Sequence, residues 1–155
     1  MKTFNHVGPA SELVELSATQ VEGRRFYKTP EDKWYPSVTT VVSHISASTI
    51  KAWEERVGYE AAEKVRRTSS LRGTKYHGIV ENYLKGNLEK VEKSEGLPSY
   101  LFRFARKDLD RIDNIHILEA PLYSDDLCIA GRVDCIAEFD GELAIIDFKT
   151  TGTLK

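Results

Sequence analysis

The sequence has little of what would cross-link or anchor a protein. It contains only two cysteines, Cys128 and Cys135, and their spacing fits neither a zinc knuckle nor a redox pair. Both fall on predicted strands, so we expect them to be reduced and buried. No run of residues is long and apolar enough to span a membrane, and residues 1–10 lack the apolar stretch of a secretory signal. These absences favour a cytoplasmic protein with no membrane partner.

An excess of basic charge is also lacking. The formal net charge is -2, which argues against a protein that coats DNA through overall positive charge. A nucleic-acid partner would have to be held by a local basic patch or through metal ions. The 155 residues are 41% hydrophobic and 30% charged, which is typical of a globular protein. We expect a single domain over residues 1–155.

The middle of the chain has helical patterns. Ser48 is predicted to cap a helix that Gly58 interrupts and that resumes over residues 59–67. Residues 68–70 (Thr-Ser-Ser) predict a loop before a second helix over residues 74–85. A charged linker should then lead to a helix whose first turn holds a proline.

The patterns before this helical region, over residues 24–42, are less regular. Residues 24–28 and 34–35 predict short strands around a turn. Residues 37–42 are β-branched, which suits a strand, but Ser37 could equally cap a short helix, and the sequence leaves this open.

The last third has strand patterns. Residues 115–123, 127–139 and 142–149 predict three strands, and Asp140-Gly141 is a strong hairpin signal between the last two. Helices followed by an antiparallel three-strand meander define a mixed α/β fold of the α+β type.

The hairpin register brings charged residues together. Counting outward from Phe139 opposite Glu142 places Asp134 directly opposite Asp147, and Lys149 lies on the same face. Opposed carboxylates repel each other, so a divalent cation such as Mg²⁺ or Mn²⁺ is the natural occupant between them. A metal, two carboxylates and an ammonium group are the parts needed for phosphodiester hydrolysis.

A simpler interpretation of the same residues is a solvent-facing strand. Asp134 could pair with Lys149 or Arg132, as charges on exposed strands often do. Against this, Asp147 ends a nearly continuous apolar strand, where an ionisable side chain without a partner or a role is uncommon.

The pattern resembles a known group of enzymes. Residues 131–134 (Gly-Arg-Val-Asp), followed by residues 146–149 (Ile-Asp-Phe-Lys), are similar to the core of the PD-(D/E)XK nuclease superfamily. The resemblance implies that fold, with Asp134 and Asp147 as metal ligands and as catalytic residues together with Lys149. It implies the Phe148 carbonyl as a further metal ligand, and Mg²⁺ or Mn²⁺ as the cofactor.

Further segments resemble the RecB-like branch and the mitochondrial-genome-maintenance-type and phage exonucleases. Residues 72–77 are similar to the G-T-x-x-H element of RecB-like nucleases, which implies that His77 joins the metal site. Glu81, one turn later, is either a partner that supports His77 without touching the metal or a solvated residue. Glu119 resembles an active-site or structural glutamate on the strand before Asp134, and the resemblance implies a supporting role for it next to the metal ligands. Residues 36–41 also match, and the resemblance is best over residues 36–151.

One element of the family pattern is not found. RecB-like members carry a Q-x-x-x-Y motif on a helix after the D-x-K strand, whereas this chain stops at Lys155. We expect the C-terminal part of the fold to be missing and the chain to be inactive or poorly soluble by itself.

Basic residues beside the histidine helix are candidates for DNA contact. Arg66, Arg67, Arg72 and Lys75 could bind phosphates without reading sequence. A second basic group on the following helix is better explained as a solvated face. Aromatic residues could stack on bases, although core packing suits Tyr76, Tyr83 and Trp53 better.

The resemblance implies a metal-dependent DNA exonuclease that acts on single strands or duplex ends. Its setting would be DNA repair, recombination or phage DNA metabolism, with a phage or bacterial origin. The alternative is a non-catalytic DNA-binding or assembly module that retains the nuclease fold. A restriction endonuclease would use the same chemistry, but no base-reading element is evident.

Overall fold

The chain begins with a small antiparallel sheet. The computed structural model describes residues 2–151. Strands β1 (Ser17–Val21), β2 (Arg24–Lys28) and β3 (Trp34–Pro36) form this sheet in the order β1-β2-β3. The strands expected at residues 24–28 and 34–35 are confirmed. Strand β1 was not predicted because all its residues are exposed, so it lacks the apolar alternation that marks a half-buried strand.

Helices α1 (Val38–Ile45) and α2 (Ala47–Val57) follow. The segment left open by the sequence is helical, because the Ser37 side chain accepts a hydrogen bond from the Thr40 backbone N–H at 3.0 Å and so caps α1. Helix α2 begins two residues earlier than a Ser48 cap would allow. It ends as predicted at Gly58, whose φ of 85° is one that glycine adopts readily.

Helix α3 (Tyr59–Leu84) is continuous over 26 residues, so the loop predicted at residues 68–70 is wrong. Each serine or threonine costs a helix about 0.5–0.7 kcal/mol relative to alanine. Ending one helix and starting another would leave backbone groups at the new helix ends without intrahelical partners, and this costs more than the small penalty of these residues.

No helix within residues 2–151 is long and apolar enough to cross a membrane.

Two shorter helices lead to the second sheet. The predicted linker contains the one-turn helix α4 (Leu88–Glu92), and α5 (Gly96–Leu109) carries Pro98 in its first turn, as expected. Contacts of α3 with both α4 and α5 hold these three helices together.

The predicted meander is confirmed. Strands β4 (Ile112–Ser124), β5 (Ile129–Phe139) and β6 (Glu142–Ile146) form an antiparallel sheet in the order β4-β5-β6. The β5–β6 register runs from Phe139 opposite Glu142 to Cys135 opposite Ile146, which is the predicted register. The paired ladder ends there, one step before the expected opposition of Asp134 and Asp147.

The main core lies between α3, α5 and one face of the meander. Tyr83 is at its centre, in edge-on contact with Phe4 and Phe102. Cys135 is fully buried in this core, as predicted, but Cys128 is exposed. The prediction for Cys128 was wrong because the residue lies in the turn between β4 and β5 and not on a strand.

A second, smaller cluster joins the two sheets. Tyr27 and Tyr35 of the first sheet pack with Ala130 of β5. Next to it, a Cβ atom placed on Gly131 would lie 3.1 Å from Cγ2 of Val38 in α1. The glycine therefore allows α1 to approach β5 closely, three residues before Asp134.

The other face of the meander is apolar at its edge. Leu143 and Ile145 of β6 are 68% and 77% exposed, because alternate residues of the strand point away from the core.

Candidate metal centre

Three side chains from separate elements meet beside β5. His77 of α3 lies with its Nδ1 atom 3.7 Å from Oε1 of Glu119 and 3.6 Å from Oδ1 of Asp134. One ligand atom from each of the three residues lies within 4.8 Å of the others. The side chains of Glu119 and Asp134 are only 16% and 12% exposed, so their charges face each other in a partly dehydrated setting.

The sheet positions the two carboxylates. The pairs Leu118–Cys135 and Ala120–Val133 bracket Glu119 and Asp134, which places these two residues opposite each other across β4 and β5. Glu119 has a positive φ of 53°, a left-handed conformation that costs a residue other than glycine about 1–3 kcal/mol. Such strain is found most often at functional sites.

Each of the three side chains is held by another hydrogen bond. His77 Nε2 lies 2.5 Å from the Phe148 carbonyl oxygen. Asp134 Oδ2 accepts from the Phe148 backbone N–H at 2.7 Å, and Glu119 Oε2 accepts from Arg132 Nε at 3.0 Å. A carbonyl can only accept, so Nε2 carries the proton in this contact, and a neutral imidazole then directs the lone pair of Nδ1 towards the carboxylates.

Asp147 and Lys149 lie outside this group. They form an ion pair with each other at 2.8 Å, with side chains 58% and 78% exposed. The Phe148 N–H bonds to the Asp134 carboxylate and not to the backbone of β5. Pairing with β5 therefore stops at Ile146, and Asp147 does not join the group of donors within 4.8 Å of one another.

Two other predicted site residues have partners of a different kind. The Phe148 carbonyl, expected as a metal ligand, accepts from His77 Nε2 and so orients the imidazole. Glu81, left open between a partner of His77 and a solvated residue, pairs with Lys85 at 2.6 Å. Glu119, expected in a supporting role, lies among the donors themselves.

The predicted DNA-contact residues divide into paired and unpaired side chains. Arg66 forms ion pairs with Glu54 and Glu63, and Arg72 donates to the Thr150 hydroxyl at 3.3 Å. Exposed Arg67 and Lys75 form no ion pair or side-chain hydrogen bond among residues 2–151. The latter two are the residues of this group that are free to bind phosphate.

The aromatic residues considered for base stacking are core residues in two cases. Tyr76 and Tyr83 are 6% and 1% exposed, which confirms the core interpretation for both. Trp53 is half-buried.

Burial raises the pKa of the Cys135 thiol, next to Asp134, to about 12, with the charge of Asp134 as a smaller cause.

The donor set is suited to a divalent cation. An ion held about 2.0–2.2 Å from each ligand keeps neighbouring ligand atoms about 3–3.6 Å apart, close to the observed distances of 3.6 and 3.7 Å. Two carboxylates and one imidazole suit Mn²⁺ and also admit Mg²⁺. The residues present therefore fit such an ion.

The fold and the site together define an α+β protein with a His-Glu-Asp group that can hold a cation. No protein-family profile matches the chain. The chain is 26% identical over 125 residues to mitochondrial genome maintenance exonuclease 1 of Homo sapiens. It is 30% identical over 125 residues to that of Xenopus tropicalis and 27% identical over 124 residues to that of Mus musculus.

These matches are partial. Each covers 75% of this chain but only 36–37% of the relative, so the chain spans little more than a third of the length of the curated relatives it matches. The similarity connects the chain to proteins named as exonucleases, and hence to nucleases in general.

Proposed function

We propose that the protein is a Mg²⁺- or Mn²⁺-dependent DNA exonuclease of the PD-(D/E)XK type that acts in DNA repair, recombination or phage DNA metabolism. The observation that carries the proposal is the meeting of His77, Glu119 and Asp134 around a space suited to one cation. The printed names of the relatives supply the reaction class.

The three donors have separate roles in this proposal. Asp134 and Glu119 supply the negative charge that attracts a cation, and His77 supplies a neutral nitrogen whose direction the Phe148 carbonyl fixes. A bound Mg²⁺ or Mn²⁺ polarises the phosphodiester and lowers the pKa of a water that it binds. Arg132 holds the Glu119 carboxylate in position from the opposite side.

Asp147 and Lys149 flank Phe148, whose backbone bonds to both His77 and Asp134. As its neighbours in the chain, they have Cα atoms about 3.8 Å from that of Phe148. The Asp147–Lys149 ion pair is largely exposed, and exposed pairs contribute only about 0–1 kcal/mol. Lys149 can therefore leave Asp147 at little cost and donate to a substrate phosphate, and Asp147 would then offer a further carboxylate for holding the cation.

The substrate class rests on charge as well as on the relatives. Arg67 and Lys75 lie on α3, the helix that carries His77, and both are exposed. Phosphate contacts from such residues position a strand without selecting its sequence. This suits an enzyme that digests DNA from an end.

Metal binding is the first test. Calorimetric titration of the purified protein with Mn²⁺ should give one site, and His77→Ala and Asp134→Asn should each weaken it at least about tenfold, the usual scale for a lost ligand or its support. Asp126→Asn removes an exposed aspartate in the β4–β5 turn and is the matched control. Equal affinity in the wild type and Asp134→Asn would remove Asp134 from the site.

Cleavage is the second test. With Mg²⁺ or Mn²⁺, the full-length protein should shorten end-labelled single-stranded or duplex DNA from an end. Lys149→Ala and Asp147→Asn should lower turnover at least about 100-fold, a typical loss for a charge-stabilising group. Lys107→Ala, an exposed lysine of α5, is the control. Wild-type turnover in either site variant would contradict these catalytic roles.

One observation favours a second candidate, a non-catalytic DNA-binding or assembly module. Asp147 and Lys149 neutralise each other outside the donor group, an arrangement that a protein without catalysis would also tolerate. This candidate predicts DNA binding with no metal-dependent product in the cleavage assay. The Lys149→Ala variant would then bind DNA as the wild type does, and neither protein would yield a cleavage product.

A further inference from the structure

A polar cavity lies between the first sheet and helix α1. Its volume is about 420 Å³. Two hydrogen bonds join its walls, since the Ser37 backbone N–H and the Thr40 hydroxyl both donate to the Arg25 carbonyl oxygen. We call it the hairpin cavity. Its lining consists of Gln20, Gly23, Arg24, Arg25, Ser37, Thr39, Thr40, Ser43, His44 and Ala47.

The hairpin cavity is lined by positive charge without a lining carboxylate. Within residues 2–151, the side chains of Arg24 and Arg25 form no ion pair and no side-chain hydrogen bond. Elsewhere on the surface, Arg66 and Arg111 each contact two carboxylates. Arg24 and Arg25 are both exposed, so their guanidinium groups are available to an anion in the cavity.

The other lining groups suit an anion rather than an apolar ligand. Gln20 lies opposite Arg25 in the β1–β2 hairpin, so their side chains share one face. Thr39 and Ser43 add hydroxyl donors, and no aromatic or large aliphatic residue lines the cavity. Guanidinium forks with neighbouring hydroxyl and amide donors are the usual partners of phosphate oxygens.

The hairpin cavity is close to the candidate metal centre along the sheet. Ser37 lines the cavity and also bridges to Ala130 of β5. Asp134 is four residues further along the same strand, which at about 3.3 Å per residue is roughly 13 Å. A nucleic-acid strand bound at one place could therefore extend to the other.

We propose that the hairpin cavity is a phosphate-binding subsite, in which Arg24 and Arg25 hold a phosphate of the nucleic-acid strand that the metal centre acts on. The inference rests on the proposed function for the identity of the strand. The phosphate is either an internal phosphodiester or a terminal phosphomonoester, since the same donors bind both. Its role is to position the strand, with no contact to the bases.

Salt-dependent binding tests the subsite without any need for activity. Fluorescence anisotropy with a labelled single-stranded oligonucleotide in EDTA measures affinity across a range of salt concentrations. Each phosphate contact to a single strand contributes about 0.7 to the slope of log affinity against log salt. Arg24→Gln and Arg25→Gln should each lower the slope by about 0.7 and weaken binding roughly 3- to 10-fold.

Matched variants separate the subsite from general charge. Lys107→Gln removes one positive charge from exposed α5, outside the cavity, and should leave the slope unchanged. Arg24→Lys keeps the charge and should restore most of the slope, although not the bidentate geometry. Thermal melting checks that the variants fold, which we expect because both side chains are exposed and form no ion pair or side-chain hydrogen bond within residues 2–151.

Oligonucleotides with and without a 5′-phosphate distinguish the two phosphate sources. An equal loss of affinity on both identifies an internal phosphodiester, and a loss confined to the phosphorylated strand identifies a terminal phosphate. Either result supports the subsite. Unchanged slopes in both arginine variants overturn it while leaving metal-dependent cleavage by the wild type intact. Weaker binding by the variants of a protein that cuts no DNA would retain the subsite and refute the proposed nuclease. A wild type that binds no oligonucleotide overturns both.

Discussion

Glu119→Gln should stabilise the protein in the absence of metal and remove most of its response to metal. The carboxylates of Glu119 and Asp134 have oxygens within 4.8 Å of each other. At that separation, two unit charges repel by about 3.5 kcal/mol for an effective dielectric constant of 20. Glutamine keeps the shape of the side chain and a carbonyl oxygen that can accept from Arg132, but it removes the charge.

Two effects reduce this gain. Solvent reaches both carboxylates to some extent, and the variant loses the charge of the Glu119–Arg132 ion pair, which is worth about 0–1 kcal/mol because the Arg132 side chain is 55% exposed. We therefore expect a net stabilisation of about 1 kcal/mol without metal. For a chain of this length that raises the melting temperature by about 2–4 °C.

The order should reverse when metal is added. A ligand at 100 times its dissociation constant stabilises the folded wild type by about 2.7 kcal/mol, or about 5–11 °C of melting temperature. The variant has lost one anionic donor, so its rise with Mn²⁺ should be much smaller. Its melting curve would then lie below that of the wild type.

Differential scanning fluorimetry in EDTA and in millimolar Mn²⁺ provides both comparisons. Glu142→Gln is the matched control, since Glu142 is an exposed glutamate at the start of β6. It should change the stability of the protein by no more than about 0.5 kcal/mol, both in EDTA and in Mn²⁺. The reasoning is refuted if Glu119→Gln melts several degrees below the wild type in EDTA. It is equally refuted if Mn²⁺ raises both proteins by the same amount.

Three further predictions concern the fold. At pH 8 a thiol reagent should modify Cys128 and spare Cys135, because burial raises the pKa of Cys135 to about 12; mass spectrometry of two rapid adducts on folded protein would contradict this. Tyr83→Phe should lower the free energy of unfolding by about 1.5–3 kcal/mol in urea, since it removes the hydroxyl that donates to the Asp110 carboxylate, and an unchanged urea midpoint would show that this bond contributes nothing. Gly131→Val should cost about 1–3 kcal/mol, because its Cβ would already lie 3.1 Å from a side chain of α1, while a stability equal to that of the wild type would mean that α1 moves aside freely.

The β5–β6 hairpin shows what local rules can predict. The Asp140-Gly141 turn determines which residues oppose one another, and pairing follows that register to Cys135 opposite Ile146. Pattern alone could not reveal where the ladder ends. The end depends on the Asp134 carboxylate taking the Phe148 N–H, a contact between a side chain and the backbone that strand periodicity does not contain.

Glu119 shows a signal that was available but not used. Pairing outward from Ser124 opposite Ile129, the residues next to the β4–β5 turn, leads directly to Glu119 opposite Asp134. A second strand predicted to begin at residue 127 instead of Ile129 implies a different register, which does not place Glu119 opposite Asp134. Glu119 was then assigned a supporting role, whereas the structure brings it among the donors.

Helix α3 shows a limit of a different kind. Its Thr-Ser-Ser segment has weak intrinsic preference for a helix, but buried residues at both ends, such as Ala62 and Val80, hold the helix in place. Tertiary packing of this sort overrides local propensity. The position of His77 still followed from its motif, because the predicted second helix already included it.

The double hydrogen bonding of Phe148 has a consequence for the order in which the site forms. The residue that orients His77 lies 71 positions after it in the chain, and it lies 14 positions after Asp134. On a growing polypeptide, α3 and the β4–β5 pair can form while solvent still screens the repulsion between the carboxylates of Glu119 and Asp134. Only when the segment after β6 docks do the imidazole and the carboxylates acquire fixed directions. The Phe148 amide proton is therefore a reporter of this last step, and its exchange with solvent should follow the opening of the site and not that of the whole domain.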